Sequence, residues 1–192
     1  MPWEKQFNEE EVLEKAMLAF WRDGFEATSM KSLVDCMGIN PGSIYAAFGN
    51  KKDLFKRTLD HYDDQVRDFL TAVEEKNGPH NAIVAVFEHM TEEVRSNPDN
   101  CGCFMANSVL EGAPKDKEID RIVQKSMEEF QGFFSRMINE GQKNGEINAG
   151  LDPIRTARIL QSLVIGCRAM TRGRSDSSVL EDVTEHVRNF LK

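Results

Sequence analysis

Cys101-Gly102-Cys103 sets two thiols a single residue apart in a chain of 192 residues. Two thiolates are half of a tetrahedral zinc site, and a structural zinc site needs a second ligand pair at short spacing. None follows: Cys36 and Cys167 lie far off, and His61, His80, His89 and His186 are scattered. The sequence also lacks a Ser/His/Asp or Cys/His arrangement and a glycine-rich phosphate loop. Hydrolytic, redox-metal and nucleotide chemistry therefore have no carrier here, and the expectation is no metal, no cofactor and no catalytic residue. What remains for the thiol pair is either packing or a reactive thiol, which needs thiolate character of the kind a helix N-terminus lends. Cys36 and Cys167 fall within helical apolar segments and are expected to be buried and inert.

The elements that hold these residues read as helices throughout. Val12, Leu13, Ala16, Met17 and Phe20 form one stripe, and Gly24 ends it with an expected left-handed cap. Thr28 or Ser29 caps a short second helix through Leu33, Val34 and Met37, closed by Gly38. Asn40-Pro41 opens a third helix that stops at Phe48, with Asn as cap and Pro at the first helical position. A long helix runs from Lys51 to Asn77-Gly78-Pro79, with Leu54, Phe55, Leu59, Tyr62, Val66, Phe69 and Val73 inward. Further helices are expected over His80–Arg95, Cys103–Glu111, Lys115–Lys143, Pro153–Arg172 and Ser178–Lys192, separated by Asn97-Pro98-Asp99-Asn100, Gly112-Ala113-Pro114 and the glycines at 145 and 150. The fold class is all-α with nine helices, and no strand alternation, repeat or low-complexity tract interrupts it.

The chain is acidic, with a formal net charge of -8. Charge matters locally, and the stretch from Thr28 to Asp60 carries Lys31, Lys51, Lys52, Lys56 and Arg57 against Asp35, Asp53 and Asp60. No apolar run is long enough for a membrane span, and the start, Met1-Pro-Trp-Glu-Lys, lacks a signal-peptide core, so a cytoplasmic protein without a membrane partner is expected.

The segment from Phe20 to Phe55, FWRDGFEATSMKSLVDCMGINPGSIYAAFGNKKDLF, closely resembles the DNA-binding head of the TetR family of transcriptional regulators. The features that carry the resemblance are A-x-x-x-F ahead of G-F, then T-S, an apolar helix running to G-I, S-x-Y-x-x-F and K-x-x-L, in order and without gaps. The resemblance implies a nine-helix TetR-like fold, with residues 1–52 as a helix-turn-helix DNA-binding domain and residues 53–192 as a ligand-binding and dimerisation domain. It implies a ligand-responsive regulator, a repressor released from a palindromic operator by a small-molecule inducer. The third helix would lie in the major groove, with Pro41, Gly42, Ser43, Ala46 and Ala47 toward the bases. Thr28 or Ser29 would cap the second helix, whose free N–H groups suit a phosphate, and Tyr45 and Lys51 would bind phosphates. None of the groove-facing residues is Arg, Asn or Gln, so specificity would rest on thymine methyls, close backbone approach at Gly42, DNA shape and Lys31 near the second helix start.

For the body the resemblance supplies architecture only. A pocket between the long helices would draw on Phe87, Met90, Phe104, Met105, Met127, Phe130, Phe134 and Met137, with Asn107, Ser108, Glu111 and Arg168 as polar candidates. For any one of the aromatic and Met residues, plain core packing is the better explanation. The run from Asn100 to Glu111 resembles a family segment in which some members carry an electrophile- or oxidant-sensing cysteine, so Cys101 and Cys103 are the candidate thiol sensors. Apolar surplus on the last two helices, at Leu160, Leu163, Val164, Cys167, Val183, Val187 and Phe190, predicts a homodimer through a four-helix seam. An enzyme and a helical interaction module without DNA binding are the rival classes; the missing catalytic constellations argue against the first, the intact S-x-Y-x-x-F-x-x-K run against the second.

Overall fold

The computed structural model describes residues 7–97, 100–110, 116–173 and 176–192. The described residues form nine helices and no strand: α1 (Glu9–Asp23), α2 (Met30–Met37), α3 (Pro41–Phe48), α4 (Lys51–Lys76), α5 (Pro79–Ser96), α6 (Phe104–Leu110), α7 (Lys117–Asn144), α8 (Pro153–Thr171) and α9 (Ser178–Phe190). The expected breaks at Pro98-Asp99 and at Gly112-Ala113-Pro114, and the polar candidate Glu111, lie outside the described residues. No helix among the described residues is long and apolar enough to cross a membrane, and no cluster of His, Cys, Asp or Glu among them could hold a metal.

Local chemistry sets most boundaries. Asn8 caps α1 by accepting from the backbone N–H of Glu10 and Glu11, and Asn40 caps α3 by accepting from Ser43 N at 2.9 Å. Asn50 and Asp53 exchange backbone-to-side-chain bonds across the first turn of α4, a capping box that closes the α3–α4 joint. Gly24 does have positive φ (80°), but its ψ of 165° is extended and not left-handed helical as expected. Either conformation is open chiefly to glycine.

The chain divides into two compact units, 1–65 with 104–124 and 66–103 with 125–192. The first is built on the apolar faces of α1 to α4, with Phe20, Leu33, Ile44, Phe48, Leu54 and Phe55 almost fully buried. It also takes in α6 and the first turns of α7. Phe104 meets the rings of Phe55 and Tyr62 edge-on, each at 5.8 Å between centroids, and lies 5.9 Å from Trp21.

The second unit packs the far end of α4 with α5, the rest of α7, α8 and α9 around Ile83, Phe87, Phe133, Phe134, Leu160 and Leu180. Here one expectation is corrected. Leu160, Val164, Cys167 and Val187 are 0–5% exposed, their side chains used up in the protomer's own core. They are not a free seam. Each of the last two helices carries a second, outer stripe: Ile159, Leu163, Gly166 and Met170 on α8, and Val179, Val183, His186 and Phe190 on α9, in which Leu163, Val179 and Val183 are half-buried against the core and the others are exposed. Both stripes follow the i, i+4, i+7, i+11 spacing of one helical face. Of the seven residues expected at the seam, Leu163, Val183 and Phe190 belong to these outer stripes.

Candidate nucleic-acid interface

α2 and α3 are joined by Gly38-Ile39-Asn40. Gly38 has φ 70° and ψ 21°, and a Cβ there would touch nothing within 4 Å, so the glycine is required by backbone conformation and not by space. This left-handed residue turns the chain sharply enough for α3 to start three residues later, at Pro41. On α3, Ile44 and Phe48 are 0% and 3% exposed and bind the helix to the unit's core. Pro41, Gly42, Tyr45 and Ala46 are exposed, while Ser43 and Ala47 are half-buried. The outer face of α3 is thus a smooth strip of small residues with one phenol, Tyr45, 53% exposed. A Cβ on Gly42 would come within 3.2 Å of the capping Oδ1 of Asn40.

The hydroxyl residues before α2 separate. Ser29 is the N-cap: its Oγ accepts from Ser32 N at 3.0 Å and lies 2.8 Å from Ser32 Oγ, in the open. Thr28 is 1% exposed and its Oγ1 donates to Gly24 O at 2.6 Å. The expectation that the Thr28 side chain meets DNA is therefore corrected. It ties off the α1 cap, because a buried hydroxyl must spend its donor internally.

Cations sort in the same way. Lys52 pairs with Asp116 at 2.7 Å, Lys56 with Glu118 at 2.8 Å and Asp53 at 3.0 Å, and Arg57 with Glu9 at 2.6 Å. The hydrogen bond and charge of Lys52 hold the Asp116 carboxyl below the usual carboxylate range, and Asp116 raises the Lys52 ammonium in turn. Asp116 also accepts from Glu118 N at 2.8 Å, capping α7. Neither Lys31 nor Lys51 has a carboxylate partner among the described residues. Lys31 is exposed, and the Lys51 ammonium lies 4.4 Å above the Phe25 ring and 3.5 Å from Glu26 O. The first turns of α2 and α4 therefore each carry an uncompensated positive charge, which suits a phosphate.

The residues expected at a ligand pocket are divided between the units. Phe104, Met105, Asn107 and Ser108 belong to the first, and Phe87, Met90, Met127, Phe130 and Phe134 to the second. Phe87, Phe104 and Phe134 are at most 1% exposed, and the Ser108 hydroxyl donates to Phe104 O at 2.7 Å within its own helix. Phe130 and Phe134 meet edge-on at 5.2 Å, and Met127 is bridged by Gln161, whose amide donates to its carbonyl at 2.8 Å. Sequence reasoning missed Phe133, 1% exposed and 5.5 Å from Phe134, although neighbouring positions can share one wide apolar face, as Met137 and Ile138 do on the same helix.

Cys101 and Cys103 are half-buried in the loop before α6. That loop is tied to α8 by Arg168, which donates to Gly102 O at 3.3 Å and pairs with Glu93 at 2.7 Å, and by Asn100, which donates to Thr171 O at 3.0 Å. Cys167 is buried, and desolvation pushes its thiol up, as expected of an inert cysteine. Cys36 is exposed, contrary to expectation, because it lies at the edge of the α1–α2 contact; partial desolvation still pushes its thiol up.

Residues 12–58 match the family model for bacterial regulatory proteins of the tetR family, and residues 79–187 the model for the tetracyclin repressor-like C-terminal domain. The chain is 29% identical over 171 residues to the HTH-type transcriptional repressor ComR of Escherichia coli K12, covering 88% of this chain and 81% of ComR. It is 25% identical over 180 residues to YezE of Bacillus subtilis 168, an uncharacterised HTH-type transcriptional regulator, covering 93% of both. Among solved structures, a cysteine mutant of the TetR-family regulator CifR, complexed with 26-bp operator DNA, superposes with a TM-score of 0.85 at 24% identity, covering 97% of this chain and 98% of that one. The reduced form of E. coli NemR superposes at 0.86 and 17% identity, over 95% and 96% of the two chains.

Proposed function

The chain belongs to the TetR family of bacterial transcriptional regulators, and we propose that it works as a repressor: a homodimer that holds a palindromic operator and lets go when a small molecule occupies its body. The observation that carries this reading is the outer face of α3. Ile44 and Phe48 fix the helix from beneath, and Pro41, Gly42, Tyr45 and Ala46 stand open above. Small side chains admit close approach to a groove floor, and Ala46 offers a methyl to thymine. Around that strip, Ser29, Lys31, Tyr45 and Lys51 supply phosphate contacts that set register without reading bases. CifR, which shares the fold, is the precedent for operator binding. A chain that acts on operator DNA works in the cytoplasm.

In the proposed dimer the outer stripes of α8 and α9 meet their copies. Two heads then face half-sites about 34 Å apart, one helical turn of DNA. Residues 1–52 act as the DNA-binding part and residues 53–192 as the ligand-binding and dimerisation part. α4, continuous from Lys51 to Lys76, runs through both and is the natural element for an inducer to bias. The inducer's leverage is limited to its differential affinity for the two states, typically about 1–3 kcal/mol.

A thiol-reactive inducer is the second reading, favoured by the Arg168 guanidinium at the carbonyl between Cys101 and Cys103. Oxidant-driven release that survives changing both cysteines to serine would return them to packing. For the main reading, the experiment is selection of duplexes from a random library by the purified chain. The selected duplex should bind at least about 10³-fold more tightly than a base-shuffled one. Equal binding to both would remove sequence-specific regulation from the account.

A further inference from the structure

Arg57 lies on α4 within the first unit, six residues after Lys51. Its fork reaches two other helices. Nη1 donates to Ala47 O at 3.2 Å, Nη2 donates to Glu9 Oε1 at 2.6 Å, and the guanidinium carbon lies 5.0 Å from the centre of the Phe48 ring. Ala47 is in the last turn of α3, where carbonyls have no partner within the helix. A cation there satisfies one of them and complements the negative end of the helix dipole. Glu9, in the first turn of α1, complements a positive end in the same way. One side chain therefore closes a bridge from the start of α1 through α4 to the end of α3.

We propose that Arg57 is a positioning residue for sequence-specific DNA recognition, fixing the tilt of α3 without touching DNA; this rests on the reading of α3 as the recognition helix. Exposed ion pairs are ordinarily worth little, and the Arg57 side chain is 42% exposed. The three simultaneous engagements distinguish this one, because they need a planar fork that can stack on a ring while serving two acceptors at once. Lysine cannot supply that geometry. While it holds Glu9 and Ala47, both terminal nitrogens of Arg57 are turned to acceptors within the protein. Its effect should therefore appear in discrimination between sequences, since a helix free to rock loses contacts to base edges before it loses contacts to the backbone.

The test uses the full chain, a duplex it selects from a random library and a base-shuffled duplex. Arg57→Gln should weaken binding to the selected duplex about fivefold, with shuffled-duplex affinity and salt slope unchanged. Without DNA, it should speed amide exchange at Gly49, whose N–H donates to Tyr45 O in the same final turn. Arg57→Lys, which keeps the charge, should not restore discrimination. Equal losses on both duplexes with a shallower salt slope would make Arg57 a phosphate contact and overturn the proposal. So would full rescue by Lys, or no change. Should the wild-type chain select no duplex, the DNA reading itself fails, while unaltered exchange at Gly49 would still refute the bridge.

Discussion

Replacing Phe104 with Ala should cost the protein about 3–5 kcal/mol of stability, the usual range for removing a fully buried phenylalanine. Phe104 is 1% exposed and lies within 6 Å, centroid to centroid, of the rings of Trp21, Phe55 and Tyr62. Phe55 in turn meets Phe20 at 5.0 Å and Phe25 at 4.9 Å, and the Lys51 ammonium rests on Phe25. Loss of the Phe104 ring therefore opens a cavity beneath the residues that support the proposed DNA-facing surface. Chemical denaturation followed by tryptophan fluorescence reads the loss directly, through Trp21. A cost below about 1 kcal/mol would mean that the ring borders space already open, as a ligand-pocket residue would. The packed aromatic cluster predicts the large value, and operator affinity should fall with it.

Ile159→Glu should disperse the dimer while leaving the protomer folded. Ile159 is 44% exposed in the single chain, so a carboxylate is tolerated there until a second copy covers it. Burying an unpaired charge at a seam costs about 3–5 kcal/mol, which is at least about 10²-fold in the dissociation constant. Leu163→Glu, on the same stripe but partly packed against the core, should disperse the dimer and also lower protomer stability. Sedimentation across a concentration series separates these outcomes. A dimer unaffected by Ile159→Glu would place the seam elsewhere.

The seam shows where sequence reading stops. α8 is apolar on two faces, and both the stripe through Leu160, Val164 and Cys167 and the stripe through Ile159, Leu163 and Met170 satisfy helical spacing. Periodicity finds the stripes but does not say which one faces inward, because that depends on what packs against α8. Helix ends were far more legible: Asn40-Pro41, Gly38 and Ser29 act within a few residues of themselves, and the caps they form are local events. Thr28 and Ser29 are equivalent as letters, and only the path of the chain after Gly24 turns one hydroxyl inward and leaves the other at the cap. The pairing of Lys52 and Lys56 with Asp116 and Glu118 spans more than 60 residues, so the mild positive balance from Thr28 to Asp60 could not reveal that, of the five cations in that stretch, Lys31 and Lys51 lack a carboxylate partner among the described residues.

That sorting of charges leads to the central measurement, the salt dependence of binding to a selected duplex for the wild-type chain and for Lys51→Ala. Each phosphate neutralised by the protein contributes about one to the slope of log affinity against log salt. If Lys51 is a phosphate contact held by Phe25 and Glu26, its removal should lower the slope by about one and weaken selected and shuffled duplexes alike. An unchanged slope with altered base preference would contradict the account, since Lys51 would then be reading sequence and the assignment of α3 as the reading helix would fall.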